Sequence, residues 1–297
     1  MKRWWIYQKE RFPLIAHGPL ILAFSACAVS FSSLLRGSPA PSPAAYGVAF
    51  GVCLLMFLQL RIADEFKDAQ EDARWRPYRA VPRGLVTLPE LRLVFIGAAV
   101  LQATMALALD LRLLVPLAIA WTYLGLMSVE FFCRDWLKRR PFVYLLSHMG
   151  IMPLVDFFAT ACEWQARGAA MPIGLGWFLA ASFFNGLVIE TGRKLRQPDA
   201  EEEGVETYSK LWGKRGGAGV WLLSMLATLA CAGMAAWRID FMVPVVIGLG
   251  VVLIPAVGMA LVFIKSSLPG KRIEALSGIW TLALYLLLGL VPLWLRN

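Results

Sequence analysis

The sequence predicts an all-α membrane protein: one polytopic bundle of about nine transmembrane helices, a single domain over residues 1–297. Three observations carry that expectation. Of the residues, 59% are hydrophobic and only 16% charged, whereas a soluble domain carries about 25% charged residues. Apolar runs of a length that crosses a bilayer recur near 15–35, 44–63, 92–109, 113–132, 142–162, 171–191, 218–237, 241–264 and 275–295. The basic residues alternate with these runs. If the N-terminus is cytoplasmic, segments 1–14, 61–92, 134–140, 193–215 and 265–272 face inside and hold 24 of the 29 lysines and arginines. Only Arg36, Arg112, Arg167, Arg238 and Arg296 face outside. That is the positive-inside bias. Backbone amides in hydrocarbon must be satisfied within their own segment, so the runs are helices.

The first run precedes "SPAPSPAA", which looks like a cleavage region. The run is longer than a signal h-region and follows a long n-region containing Glu10, so a retained helix is expected. The outer loops "RGSPAPSPA", "LDLR", "EWQARGAAM" and "WRID" are too short for a domain. Topology accounts for most of the +9 net charge, and nothing calls for nucleic acid. The five cysteines have no metal or redox spacing and read as small core hydrophobes. Two inner loops, 61–92 and 190–217, are long and chemically unusual, so function is expected at the cytoplasmic mouth.

The first loop reads "DEFKDAQEDARWRPYRAVPRG" from Asp64. Asp64, Asp68 and Asp72 follow at intervals of four. On a continued helix they stack on one face with Glu65 beside them. Like charges at that spacing destabilise a helix, and a hard cation such as Mg²⁺ relieves the conflict. Lys67 with Glu71 and Asp72 with Arg76 have the same spacing, as in a solvated salt-bridged helix end, but that leaves the aspartate stack unexplained. Arg74, Arg76, Arg79 and Arg83 suit bidentate phosphate binding and equally suit topology. Pro82-Arg83-Gly84 reads as a turn.

"DEFKDAQED" resembles the first aspartate-rich motif, N-D-x-x-D-x-x-x-D, of the UbiA superfamily of intramembrane prenyltransferases. Asp64 stands at the Asn position, Glu65 at the first Asp, Asp68 at the second and Asp72 at the third. "RAVPRG" is similar to the family's R-P-x-P-S-G stretch. Helix count, loop positions and length extend the resemblance over the whole chain. It implies a prenyl diphosphate with its tail in the bilayer and its head at the mouth. Mg²⁺ on Asp64, Asp68, Asp72 and Glu190 would bind the diphosphate, with Arg74, Arg76, Arg79, Arg134 and Lys138 around it.

In the second loop, "EGVETYSKLWG" resembles the stretch that follows the family's second motif, D-x-x-x-D, with Gly204, Thr207 and Gly213 in place. The acidic motif departs. Glu190 stands for the first Asp, and Lys194 falls where the second belongs. Either Lys194 contacts the diphosphate directly, or a second metal is held by Glu190 with Asp199 or one of Glu201, Glu202 and Glu203. A solvated acidic loop is the other reading of the glutamates.

Glu130, His148, Asp156 and Asn185 fall within or beside apolar helices, where polar groups need partners or a polar cavity. Asp156 and Asn185 are candidate acceptor-binding residues; for Asp156 a helix–helix hydrogen bond is the alternative. Tyr123, Phe131, Phe132, Tyr144, Phe183 and Phe184 are candidates to line a cavity for an allylic cation, or pack in the core. The expected activity is Mg²⁺-dependent transfer of a prenyl group to a hydrophobic or aromatic acceptor such as a quinone precursor, in a bacterial cytoplasmic membrane. The alternatives are a terpene cyclase of the same family and a non-enzymatic lipid-binding or transport protein. A transporter tends to place its charges at the midplane on repeat-related helices, whereas here the acids cluster at one face.

Overall fold

The computed structural model of the chain describes residues 2–266 and 268–296. Its helices run α1 (Lys2–Arg11), α2 (Leu14–Arg36), α3 (Pro43–Lys67), α4 (Ala69–Trp75), α5 (Leu88–Leu109), α6 (Leu114–Ser128), α7 (Arg134–Lys138), α8 (Pro141–Met149), α9 (Ile151–Trp164), α10 (Leu175–Arg193), α11 (Tyr208–Trp237), α12 (Met242–Lys265), α13 (Gly270–Leu288) and α14 (Leu290–Arg296). No strand occurs among the described residues. Eight helical stretches there are long and apolar enough to cross a membrane, α8–α9 and α13–α14 each forming one interrupted span. Helix α10, of 19 residues, packs against α9, α11 and α13. Large side chains such as Leu93, Val100, Val115, Leu223 and Ile254 lie 62–75% exposed along the rim. Exposed apolar surface on that scale needs lipid around it, and the chain is an integral membrane protein.

Side chains sort the loops to two ends. At one end, Arg11 pairs with Glu65 and Lys138 with Glu71. There Tyr78 bonds Glu202, and Gln197 bonds the carbonyls of Ser266 and Leu268. At the other, the buried Glu163 takes Arg36 at 2.9 Å and Arg167 at 3.3 Å, and Arg296 reaches the carbonyls of Leu34 and Ile239. Loops that the sequence places on one side of the membrane therefore meet in space.

Helix α13 closes the bundle by packing on α2, α10 and α12. Polar side chains join α3, α5 and α6 inside the apolar region: Gln59 donates to the Phe95 carbonyl, Gln102 to the Val52 carbonyl, and Trp121 to Gln102. Without a hydrophobic drive between helices in lipid, such bonds and close packing hold the bundle.

Several boundaries differ from the apolar runs because capping extends helices past the hydrocarbon. Thr87 and Glu90 form a capping box that starts α5 early. Thr207 caps α11 ten residues before the apolar run begins, and Gly213 (φ 69°) kinks that helix. The run near 113–132 stops at Ser128, since Glu130, Phe131 and Phe132 all adopt left-handed backbone (φ 50°, 52° and 59°). The run near 142–162 is broken at Gly150. Pro153 has no N–H for the Met149 carbonyl, and the Tyr123 hydroxyl donates to the Ser147 carbonyl. A Cβ at Gly150 would lie 2.2 Å from that hydroxyl.

Candidate active site at the charged end

Helix α3 carries Asp64 and Glu65 on its last turn and ends at Asp68, whose backbone (φ −94°, ψ 4°) links it to α4. The hydrogen-bond ladder continues from Asp64 through Asp68 to Asp72, but the carboxylates do not share one environment. Asp64 is 40% exposed, and its one ion pair among the described residues is a long 3.4 Å contact with Arg61. Asp68 is half-buried. Burial raises its pKa, Lys67 opposes that rise, and the Asp64 charge adds to it. Asp72 is buried and held by Arg76 and Arg79, each at 2.7 Å. The Asp72–Arg76 pair of the alternative, salt-bridged reading therefore forms, and Arg79 joins it. Glu65 is buried against Arg11 of α1, facing a small apolar cluster built around Tyr7, Ile62, Val86 and Leu91. Asp64 and Asp68 stand one turn apart at the end of α3, while Glu65 and Asp72 are taken by cationic partners of their own.

Glu71 does not pair with Lys67. It accepts a bond from Lys138 at 2.9 Å and lies 3.6 Å from Arg134. The Lys138 bond holds its carboxyl below the usual range. Lys67 instead donates to the Tyr144 hydroxyl at 2.8 Å. Tyr144 stacks on His148 with centroids 3.8 Å apart. Glu130 lies 3.4 Å from the Tyr144 hydroxyl and pairs with Arg134. The left-handed turn at 130–132 turns Glu130 inward and Phe132 outward, the latter 83% exposed. Phe132 thus lies outside the cavity wall, whereas Phe131 packs edge-on to Tyr123 and His148. A recess of about 570 Å³ opens here beside Lys67, Glu71, Arg134 and Lys138. Arg74 is exposed and stacks on Trp75.

Across the mouth, α10 ends in Glu190, Arg193 and Lys194. Glu190 is 14% exposed, with one oxygen 2.5 Å from Arg193 and the other 2.9 Å from Lys194. The Lys194 ammonium also lies 5.5 Å from the centre of the Tyr208 ring. The ends of α3 and α10 lie at the same end of the bundle, since the loops that follow them meet at Tyr78–Glu202 and Trp75–Gly204.

The two long loops clasp each other at this end. Trp75 packs against Gly204 (φ 70°), where an added Cβ would lie 2.3 Å from the indole, and Tyr78 donates to Glu202 at 2.9 Å. Glu202 also takes Arg196, and Glu201 takes Thr207. Asp199 and Glu203 are exposed. Gly204 thus makes the clasp possible, Thr207 caps α11, and Gly213 sets its kink.

Asp156 and Asn185 lie deeper. Tyr285 donates to Asp156 at 2.8 Å and Thr281 to Asn185 at 3.1 Å, tying α13 to α9 and α10. Asp156 Oδ1 and Asn185 Nδ2 are buried without protein partners among the described residues. The helix–helix bond weighed for Asp156 forms, and each residue keeps one free polar atom. Sequence reasoning did not single out Arg193 or the role of Lys67. The tandem Arg193-Lys194 one turn after Glu190 was the available signal for the first. Nothing in sequence places Lys67 on Tyr144, 77 residues away.

The chemistry of the donors decides the fit to a divalent metal. No group of three or more carboxylate, His or Cys side chains is gathered in metal-binding geometry among the described residues. Mg²⁺ commonly uses one or two protein carboxylates and completes its shell with water and phosphate oxygens. Asp64 and Asp68 meet that need for one ion. Glu190 and Asp72, each clamped between two cations, do not form a second such site.

No curated protein matches the sequence. An apo structure of a UbiA homolog from Aeropyrum pernix K1 is similar over 90% of this chain and 94% of that one, with a TM-score of 0.67 at 14% identity; the likeness is one of fold. Residues 22–275 match the UbiA prenyltransferase family, and the chain belongs to that family.

Proposed function

We propose that the protein transfers a prenyl group from a prenyl diphosphate to a hydrophobic acceptor, with an aromatic or quinone-precursor ring as the acceptor class. Family and fold support prenyl transfer in general. The observation that carries the finer proposal is that the acids Asp64 and Asp68 at the end of α3 and the Glu190–Arg193–Lys194 cluster at the end of α10 lie at one end of the bundle, under loops joined by Tyr78–Glu202. The charged end faces the cytoplasm, as the basic-residue bias requires, in a bacterial inner membrane.

The diphosphate head lies between the ends of α3 and α10, and the prenyl tail runs into the bundle. A Mg²⁺ ion held by Asp64 and Asp68 would supply positive charge to the departing diphosphate. Arg193 and Lys194 bind the phosphate oxygens and stabilise the same charge. The carbon–oxygen bond breaks with its electron pair leaving on diphosphate. The allylic carbon then bonds to the acceptor, which loses the displaced proton. Tyr144 and Tyr208 offer aromatic faces to the developing cation. The Trp75–Gly204 clasp excludes water that would otherwise capture it. Arg134 and Lys138 add to the field at the rim, and Asp156 and Asn185, with their free polar atoms, are the acceptor's polar contacts.

The test is diphosphate release by purified protein offered prenyl diphosphates of graded length with Mg²⁺, with and without aromatic acceptors, products being read by mass spectrometry. Acceptor-dependent release is expected. A cyclic hydrocarbon or alcohol without acceptor would replace transfer by cyclisation, and absence of release under every condition would refute the proposal.

A further inference from the structure

We infer that the α10 half of this site binds diphosphate through protein cations in place of a second metal ion: Arg193 and Lys194, organised by Glu190, take the phosphate oxygens directly, and the one metal position lies at Asp64 and Asp68. This rests on the prenyl diphosphate reading above and specifies how that substrate is held.

Four observations lead there. Lys194 stands four residues after Glu190, where a second carboxylate would complete a metal-binding pair, and an ammonium has no lone pair to offer a cation. Both Glu190 oxygens are already engaged, one by Arg193 at 2.5 Å and one by Lys194 at 2.9 Å. A metal there would have to displace two charge-assisted contacts and then sit beside the two displaced cations. The acids of the following loop do not replace the missing ligand: Glu201 is bound to Thr207, Glu202 to Tyr78 and Arg196, and Asp199 and Glu203 are exposed to solvent. Finally, the two cations, though held by Glu190, are accessible to a ligand. Their side chains are 42% and 35% exposed at the last turn of α10, and the Tyr208 ring lies beside the Lys194 ammonium.

The cluster of Glu190, Arg193 and Lys194 carries a net positive charge at the same end of the bundle as the acids Asp64 and Asp68. A diphosphate bridging the two halves meets one metal ion at the α3 end and a guanidinium and an ammonium at the α10 end. Arginine matches phosphate geometry bidentately and lysine acts as a point charge.

The test uses the full chain in detergent with a non-hydrolysable prenyl thiolodiphosphate. Calorimetry gives its affinity, with Mg²⁺ or with a chelator, and Mn²⁺ paramagnetic resonance counts the ions bound with it. We expect one Mn²⁺ per chain, and measurable binding that survives the chelator. Lys194→Ala should weaken the ligand about tenfold or more under both conditions, leaving the Mn²⁺ count at one. Asp68→Asn should abolish Mn²⁺ binding yet keep the chelator-resistant binding. Size-exclusion profiles matching the wild type establish that each variant is folded. Two Mn²⁺ ions per chain, or unchanged affinity in Lys194→Ala, would overturn the inference while leaving the substrate class standing. Failure of the thiolodiphosphate to bind under any condition would overturn both.

Discussion

Asp68 and Asp72 are four residues apart in one acidic stretch, yet the same Asp→Asn change should act on them in opposite ways. Asp72 is 2% exposed and accepts Arg76 and Arg79, each at 2.7 Å. Removing one side of a buried ion pair costs about 3–5 kcal/mol. The arginine side chains are 11% and 21% exposed, so water recovers part of that, and about 3 kcal/mol is expected. For a chain of this size that corresponds to a fall in Tm of roughly 6–12 °C. The Asp68 carboxylate has no hydrogen bond or ion pair among the described residues, and burial raises its pKa. An acid whose folded pKa is raised disfavours folding when ionised, so a neutral Asn leaves Tm unchanged or slightly higher. Catalysis reverses the order. Asp68→Asn should lower diphosphate release at least about a hundredfold, the loss typical of removing a group that stabilises transition-state charge. Asp72→Asn should retain much of its activity per folded molecule at low temperature. The assays are thermal unfolding in detergent followed by intrinsic fluorescence, and diphosphate release normalised to folded protein at a temperature about 20 °C or more below the expected transitions. Equal loss of Tm in both variants would refute the separation of roles, and near-normal release by Asp68→Asn would remove it from the chemistry.

Three further outcomes follow from the geometry. Gly204→Ala places a Cβ 2.3 Å from the Trp75 indole at φ 70°; it should open the clasp between the long loops and make 194–207 readily cut by protease, with Tm little changed, and wild-type resistance to cleavage would count against the clasp. Glu163→Gln at the opposite end removes the common partner of Arg36 and Arg167; stability should fall by about 3 kcal/mol, while activity per folded molecule stays at wild-type level, and a selective loss of activity would refute its purely structural role. The Glu71 carboxyl is held below its usual range by Lys138, so the stability it lends α7 is present above the ordinary glutamate pKa and is lost as pH falls through the lower folded value; amide protection factors at α7, normalised for the intrinsic pH dependence of exchange, should fall on acidification, and Glu71→Gln should show the low protection at both pH extremes.

Part of the site is legible in the sequence. Asp64, Asp68 and Glu190 announce themselves as acids at the ends of apolar helices, where desolvation makes an idle charge expensive. The i,i+4 spacing left room for a salt-bridged helix end with Asp72 on Arg76, which forms, and Lys67 on Glu71, which does not. Partners from α7 and α8 reach both residues of the second pair. Spacing describes only neighbours on one helix, so it cannot register a competing partner 67 or 77 residues away. Phe131 and Phe132 looked equivalent as cavity aromatics, and three left-handed residues sent them to opposite sides.

The membrane class, the approximate number of traversals and the grouping of loops into two ends were determined by the sequence alone. Bilayer thickness, backbone hydrogen bonding and charge translocation are strong, local and additive along the chain, and each leaves its mark in composition and period. Which carboxylate is left free for a ligand and which is spent on a protein cation was decided only in the tertiary structure. That outcome depends on distances of a few ångströms between α1, α3, α4, α7 and the loop after α4, where a cation either arrives or does not. Arg11 reaches Glu65, Arg79 reaches Asp72, and Lys138 reaches Glu71. Among the described residues no cation reaches Asp68, and a charge left without a protein partner at the mouth of an apolar bundle is the one available to a ligand.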